Sequence, residues 1–297
     1  MLSNSSSVLT TTNHVKIRAV KELQETDMEA TLRLLSEAPQ QSVLLRGMLI
    51  DNGLSHPSNR GHFYGYFENH RIVGVALLGQ ATMIYARPAA EAAALAHFAQ
   101  VVIENNVTCS FVFGPTSQVE AFWAHLSAAG RKTKLVRDFR WYVCQKTNLP
   151  LEHLQMQCAN SEDLAVIATA QATMLKEATG TDPREADAEG FTRRVAERIE
   201  RQRTWVKLDN GEVVFKTELQ CVTPEVVYLE GVWAREDQRQ QGLAKSCLSE
   251  LVHRLLKQQL MVTLVVEKEE ETAIKLYEQV GFVHTDDYQA RYLEPLS

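Results

Sequence analysis

The 297 residues suffice for about two ordinary domains, each able to close a hydrophobic core of its own. Hydrophobic residues make up 45% and charged residues 23%, a balance typical of globular proteins. The net charge of -6 gives no support for general nucleic-acid binding, and no apolar run approaches the ~18 residues that a membrane span needs.

The first residues, 1–14, are rich in Ser, Thr and Asn. They lack a basic stretch followed by an apolar run, so they do not resemble a signal peptide, and we expect a disordered tail on a cytoplasmic protein. The five cysteines are scattered and form no C-x-x-C motif. This spacing predicts core thiols, with neither a disulfide framework nor a metal site.

Both halves of the chain contain a predicted β-hairpin. Its two strands lie at 61–67 and 72–78 in the first half, and at 204–208 and 212–219 in the second. The second hairpin turns at Asn210-Gly211, a strong tight-turn signal because glycine tolerates positive φ. Apolar residues at helical spacing predict helices at 161–178 and 185–202, ahead of that hairpin.

Strands and helices then alternate in each half. The first half has them at 81–86, 89–104, 107–113 and 117–129, before a final strand pair at 134–144. The second half has them at 226–234, 242–257, 261–267 and 271–280, before a final strand pair at 282–293. Alternation implies a locally parallel pair of strands, whereas the hairpins imply antiparallel neighbours.

We therefore predict an α/β protein of two domains, each a mixed, mostly antiparallel sheet flanked by helices. The first domain spans 15–145 and the second 158–297. The polar segment 146–157, which contains Pro150, is the predicted linker.

A glycine-containing loop joins a predicted strand to a helix in the second domain. Its sequence is R-x-x-G-x-A, from Arg239 to Ala244. Such a loop presents unpaired backbone N–H groups at the positive end of a helix dipole, which is a natural anion site. Gly242 would let the backbone approach a diphosphate closely, and Arg239 would add charge or brace the loop.

A second motif, A-x-x-L-Y-x-x-x-G-F, begins at Ala273 about thirty residues further on. Together the two motifs resemble the acetyl-CoA-binding core of the GNAT superfamily of N-acetyltransferases, over residues 158–297. The whole chain further resembles bacterial proteins with two GNAT-like domains, the first of them degenerate. Two positions depart from the family pattern: Glu236 stands where Pro is frequent, and Glu270 where Asn is frequent.

The resemblance implies a splayed parallel strand pair and roles for particular residues. Main-chain groups of the segment Val232, Trp233 and Ala234 would bind the pantetheine arm and the acetyl carbonyl. Tyr277 would protonate the leaving thiolate. The CoA pyrophosphate would lie on the backbone amides of Arg239, Gln240, Gln241, Gly242, Leu243 and Ala244.

Acyl transfer to an amine also needs a group that removes a proton. Glu230, on the strand that leads into the cofactor loop, is our first candidate for this base, and Glu218 is the second. Each carboxylate could equally be a structural or exposed strand residue.

The first domain lacks the corresponding features. Residues 87–92 contain no glycine, and Pro88 removes one backbone donor. Trp123 stands in the place of Tyr277. We therefore interpret this domain as a non-catalytic duplicate that completes a cleft, packs as a pseudo-dimer, holds a ligand or serves as a scaffold.

The sequence thus predicts an enzyme that moves acetyl from acetyl-CoA, its co-substrate, to a small-molecule or peptide amine without a metal. The alternatives are a non-catalytic CoA-binding sensor or scaffold, and an enzyme that uses another acyl-CoA. We expect a monomer or weak homodimer with no nucleic-acid or membrane partner. The identity of the amine stays open, because acceptor pockets are built from variable loops.

Overall fold

The computed structural model describes residues 17–147, 149–150, 156–258 and 260–295. The tail predicted at 1–14 and residues 148 and 151–155 of the predicted linker lie outside this part of the chain. Within it, no helix is long and apolar enough to cross a membrane. Nor do any three His, Cys, Asp or Glu side chains in those ranges form a group that could hold a metal ion.

The described strands form one 12-stranded mixed sheet flanked by helices, which confirms the predicted fold class. The first half contains β1 (Arg18–Glu22), α1 (Met28–Ser36), α2 (Val43–Asn52), β2 (Gly61–Glu68), β3 (Arg71–Gly79), β4 (Ala81–Ala86), α3 (Glu91–Glu104), β5 (Phe111–Pro115), α4 (Thr116–Ala128) and β6 (Thr133–Cys144). The second half contains β7 (Gln157–Cys158), α5 (Leu164–Thr179), α6 (Arg184–Glu200), β8 (Thr204–Asp209), β9 (Glu212–Val222), β10 (Val226–Ala234), α7 (Leu243–Lys257), β11 (Met261–Glu267), α8 (Glu271–Val280) and β12 (Val283–Leu293).

The predicted hairpins and parallel pairs are present. β2 pairs with β3, and β8 with β9, in antiparallel fashion. β4 runs parallel to β5, and β10 runs parallel to β11. The prediction of a final strand pair in each half was wrong, because β6 and β12 are each one continuous strand.

The two halves exchange these last strands. The order across the sheet is β1-β2-β3-β4-β5-β12-β6-β11-β10-β9-β8-β7. β12, from the second half, pairs with β5 of the first, while β6, from the first half, pairs with β11 of the second. β6 and β12 also pair with each other, so each half's sheet is completed by the other's last strand.

An aromatic stack closes the seam between the halves. The ring of Trp141, on β6, lies 4.5 Å from that of Tyr288 on β12 and 5.5 Å from that of Tyr228 on β10. Trp141 is only 1% exposed, and Val43 of α2 belongs to the same apolar cluster. Close stacking of large rings and their removal from water make this seam a major stabilising contact.

Helices cover the second half's sheet on both faces. The apolar residues of α7 and α8 pack on one face, in a cluster with Leu229 and Leu264. On the other face lie α5 and α6, whose cluster includes Trp233. The first half adds α2 to this second face, where Gly47 approaches Cys221 so closely that a Cβ atom would come within 2.6 Å of the cysteine Cβ.

Replacement of Trp141 should destabilise both halves at once. For Trp141→Ala we expect a loss of about 3–5 kcal/mol in the free energy of unfolding, because a large buried side chain is removed from a packed seam. Urea unfolding followed by circular dichroism measures the loss, and hydrogen exchange in β3 and β9 reports on the two halves separately. The half-buried Trp123→Ala is the control, with a smaller effect. Two independent unfolding transitions in the parent protein would contradict the interlocked sheet.

Candidate active site

A gap opens between β10 and β11 in the middle of the second half's sheet. The two strands pair only from Val226–Met261 to Tyr228–Thr263, whereas on its other edge β11 stays paired with β6 as far as Glu267. Main-chain groups of β10 that face the gap beyond Tyr228 therefore have no ladder partner on β11. Such an edge can bind the amides and carbonyls of an extended ligand.

A β-bulge lies on the open part of β10. In the register with β9, Glu230 faces Glu218, and the next pair is Trp233 with Lys216. Gly231 and Val232 thus lie opposite the single residue Thr217, which makes one extra residue on β10, and Gly231 has a φ of 62°. The bulge interrupts the ladder with β9 at Gly231 and Val232, and the ladder resumes at Trp233 and Ala234. Bulges of this kind are frequent beside active sites.

The predicted anion loop follows directly and ends at the N-terminus of α7. Gly242 is the N-cap residue, with a φ of 83° in the left-handed region. A Cβ atom placed on it would meet no other atom within 4 Å, so the backbone borders open space. The amides of Leu243 and Ala244 lie in the first helical turn, where no intrahelical acceptor exists. These are the properties of an anion-binding helix terminus.

The side chain of Arg239 braces this loop. Its Nε donates a hydrogen bond to the carbonyl of Ala234 at 2.9 Å, and its Nη2 donates to Glu177 of α5 at 2.6 Å. Glu177 also accepts a hydrogen bond from Trp233 Nε1 at 3.0 Å. The indole of Trp233 is therefore committed to the core beneath α5 and α6, and only its main chain borders the gap.

Tyr277, on α8, lies on the α7 side of the sheet. It is 8% exposed and belongs to the apolar cluster against which Val232, Ala234, Leu243 and Ala244 pack. Its ring meets Phe282 edge to face at 5.9 Å. Burial raises the pKa of Tyr277 above its ordinary value of 10.0, so the phenol keeps its proton at neutral pH. The residue is chemically able to donate that proton.

The two candidate bases are cross-strand neighbours with different surroundings. Glu230 is exposed. Glu218 is 3% exposed, accepts a hydrogen bond from Thr204 Oγ1 at 2.7 Å and lies 3.2 Å from Lys216 Nζ. Glu218 is therefore held in a buried polar group, whereas the Glu230 carboxylate is accessible.

Lys216 is a site residue that the sequence analysis missed. It is 0% exposed, and its Nζ lies 3.5 Å from the position that a Cβ on Gly231 would take, at the bulge. Burial lowers the pKa of Lys216, while the neighbouring Glu218 opposes that shift. The available signal was the pair Lys216 and Glu218, two charges on one face of an otherwise apolar strand.

Among the described residues of the first half, none forms an equivalent of the anion loop. A 3-10 turn, Pro88–Ala90, follows β4, and Pro88 has no N–H group. Arg87 is paired with Glu37 at 2.5 Å. Trp123, in the place of Tyr277, packs against Arg291, whose guanidinium lies 5.1 Å from the ring centroid. The short parallel contact of β4 with β5 persists, but the groups that would hold a diphosphate do not.

Two family models match the chain. Residues 168–282 match the acetyltransferase (GNAT) family, and this range includes the gap, the bulge, the anion loop and α8. Residues 61–145 match a domain of unknown function, DUF4081. No curated protein matches the chain.

Solved structures with this fold extend over almost the whole chain. An acetyltransferase of the GNAT family from Colwellia psychrerythraea has a TM-score of 0.61 at 19% identity, with 93% of this chain and 100% of that chain covered. A Drosophila protein has a TM-score of 0.65 at 13% identity, covering 94% and 99%. A tandem GNAT protein from the clavulanic acid biosynthesis pathway has a TM-score of 0.58 at 12% identity, covering 95% and 100%. At these identities the likeness concerns the fold.

The buried Lys216–Glu218 pair generates a prediction about stability. Lys216→Met should lower the free energy of unfolding by about 3–5 kcal/mol, because it leaves a buried carboxylate without its counter-charge. The double variant Lys216→Met/Glu218→Gln should recover much of that loss, since no buried charge remains. Urea unfolding of the parent, the single variant and the double variant measures the loss of stability and its recovery. A double variant no more stable than the single one would rule out this coupling.

Proposed function

We propose that this chain, a tandem protein of the GNAT superfamily with a degenerate first domain, transfers acetyl from acetyl-CoA to a primary amine. Membership of that superfamily implies acyl transfer from an acyl-CoA; the acetyl donor and the amine acceptor are our proposal. The observation that carries it is the gap between β10 and β11, bulged at Gly231 and followed by the open N-terminus of α7.

The donor fits the open side of the gap. The pyrophosphate would take the amides of residues 240–244, where the open space at Gly242 leaves room for it. Main-chain groups of Val232, Trp233 and Ala234 would hold the pantetheine arm and, through an N–H group, the carbonyl oxygen. Arg239 would act by keeping the loop in place, since its guanidinium is bound to Ala234 and Glu177.

Acid and base would act from opposite faces of the sheet. The amine nitrogen attacks the thioester carbonyl carbon, the C–N bond forms and the C–S bond breaks, without a covalent enzyme intermediate. Glu230 would receive the amine proton, directly or through water, and Tyr277 would give its proton to the departing sulfur. The contacts of Glu218 with Thr204 and Lys216 favour Glu230 as the base and give Glu218 a supporting position.

Binding of the donor is tested by calorimetric titration with acetyl-CoA. We expect one site in the parent protein and none in Gly242→Glu, because a carboxylate there would fill and repel the diphosphate position. Gly130→Glu is the matched control, since Gly130 has a φ of 87° and the same open surroundings but lies outside the site. Two sites would show that the first domain also binds CoA. No binding in the parent protein would contradict the proposed function.

Catalysis is tested by release of the CoA thiol when amines are supplied. Tyr277→Phe should bind acetyl-CoA like the parent but turn over about a hundredfold more slowly, as expected for loss of a general acid. Glu230→Gln should slow turnover similarly and change the dependence of turnover on pH. Tyr292→Phe, which removes a phenol hydroxyl from β12, is the control for Tyr277→Phe and should turn over like the parent. Unchanged turnover in Tyr277→Phe would remove the acid role. Acetyl-CoA binding without thiol release from any amine would instead favour a CoA sensor.

A further inference from the structure

A cleft of about 470 Å³ lies between the two halves on the face of the sheet that carries α2, α6 and Glu218. Residues 218–221 of β9 form its floor, and Met48, Asp51 and Asn52 of α2 form part of one wall. Glu218, which lines the cleft, is the cross-strand neighbour of Glu230 in the β9–β10 ladder, so the cleft ends one strand away from the proposed base. It lies on the opposite face from α7 and α8, and is therefore open to an acceptor rather than to the donor.

The lining of this cleft is rich in arginine, although the chain as a whole has a net charge of -6. Three carboxylates accompany the arginines, and one of them, Glu218, already lies 3.2 Å from Lys216. The cleft thus has a surplus of positive charge. The five arginines are Arg60, Arg194, Arg198, Arg201 and Arg203.

Part of this surplus is available to a ligand. Arg203 donates to Asp51 at 2.7 Å through Nη2, but its Nη1 is buried without a hydrogen-bond partner. Arg201 makes a long contact of 3.4 Å with Asn52. Among the ion pairs of the described residues, none involves Arg60 or Arg198. Arg198 is half-buried, a costly setting for a cation that has no counter-charge.

Arg198 also lies near the proposed chemistry. Arg198 lines the same cleft as Glu218, whose carboxylate lies 3.2 Å from Lys216 Nζ. Burial is the main cause of the lowered pKa of Lys216, and the charge of Arg198 lowers it further. An arginine near the base is poorly suited to an acceptor that is cationic throughout. It suits an acceptor whose anionic group would be held by the planar guanidinium fork.

We infer that the acetyl acceptor is an amine that also carries an anionic group, a carboxylate or a phosphate, bound in this cleft by Arg198, Arg203 and Arg60. The inference rests on the proposed acetyltransferase function. The amine would lie towards Glu230 and the anionic group towards α6. The degenerate first half would contribute directly, since it supplies Arg60 and also Asp51, which positions Arg203.

The anion site is tested first by itself, without turnover. Calorimetric titration with glutarate and, separately, with inorganic phosphate tells the carboxylate and phosphate sources apart. We expect one of them to bind the parent protein and to bind Arg198→Gln about tenfold more weakly, which corresponds to roughly 1.4 kcal/mol. Arg71→Gln, an equal charge change at the exposed first residue of β3, should bind like the parent. Binding of neither probe, or equal binding to Arg198→Gln, would overturn the inference.

The acceptor preference is tested with matched amines. CoA thiol release is measured with β-alanine against propylamine, and with O-phosphoethanolamine against ethanolamine. One anionic amine should have a kcat/KM at least about tenfold above its uncharged counterpart, and that advantage should vanish in Arg198→Gln and shrink in Arg60→Gln. Equal use of both members of each pair would overturn the inference while leaving the acetyltransferase intact.

Failure of the proposed function has a different signature. Acetyl-CoA would then not bind, or no amine would release thiol, even if Arg198-dependent binding of glutarate or phosphate persisted. That result would contradict both the acetyltransferase function and the assignment of the cleft to an acceptor. Melting temperatures of Arg198→Gln and Arg71→Gln within a few degrees of the parent establish that both variants are folded.

Discussion

The pairing of β6 with β12 is the contact on which the arrangement of the molecule depends. These strands are hydrogen-bonded along most of their length, and each is also the neighbour of a strand from the other half. Because the exchange places the two halves in one sheet, α2 reaches the face of β9 and β10. The cleft between α2 and α6 exists only because of this contact. The first half therefore forms part of a cleft on the second half's sheet, since it supplies α2 and Arg60.

At the candidate site, Tyr277 and Glu230 lie on opposite faces of the sheet, on either side of one irregularity in β10. Beyond Tyr228 the main chain of β10 has no ladder partner on the β11 side, and the bulge at Gly231 interrupts its ladder with β9. Tyr277 lies below, in an apolar cluster that keeps it protonated, while Glu230 lies above, exposed on the face with the arginine-lined cleft.

Much of this could be predicted from the sequence, because local patterns determine it. Alternation of apolar residues predicted the hairpins, and the loop around Gly242 predicted a helix N-terminus. The exchange of β6 and β12 could not be predicted, since backbone hydrogen bonds are alike for all strands and the two have comparable patterns. The arginine cleft combines positions from Arg60 to Arg203, which only folding brings together. Lys216 was missed for a different reason. A lysine is ordinarily expected at the surface, and the only sign in the sequence that this one is buried is the opposite charge of Glu218 two residues further on.

The strand exchange also bears on how the two halves came to differ. Two identical subunits that swapped their last strands would build the same sheet, but every substitution would then fall on both copies. In a single chain the two halves vary independently, so one can have Gly242 at the start of a helix where the other has the turn Pro88–Ala90. The first half keeps its place in the sheet through β6 and β12, while the rest of its surface is free to change. Covalent fusion thus converts a symmetric assembly into an asymmetric one with a division of labour.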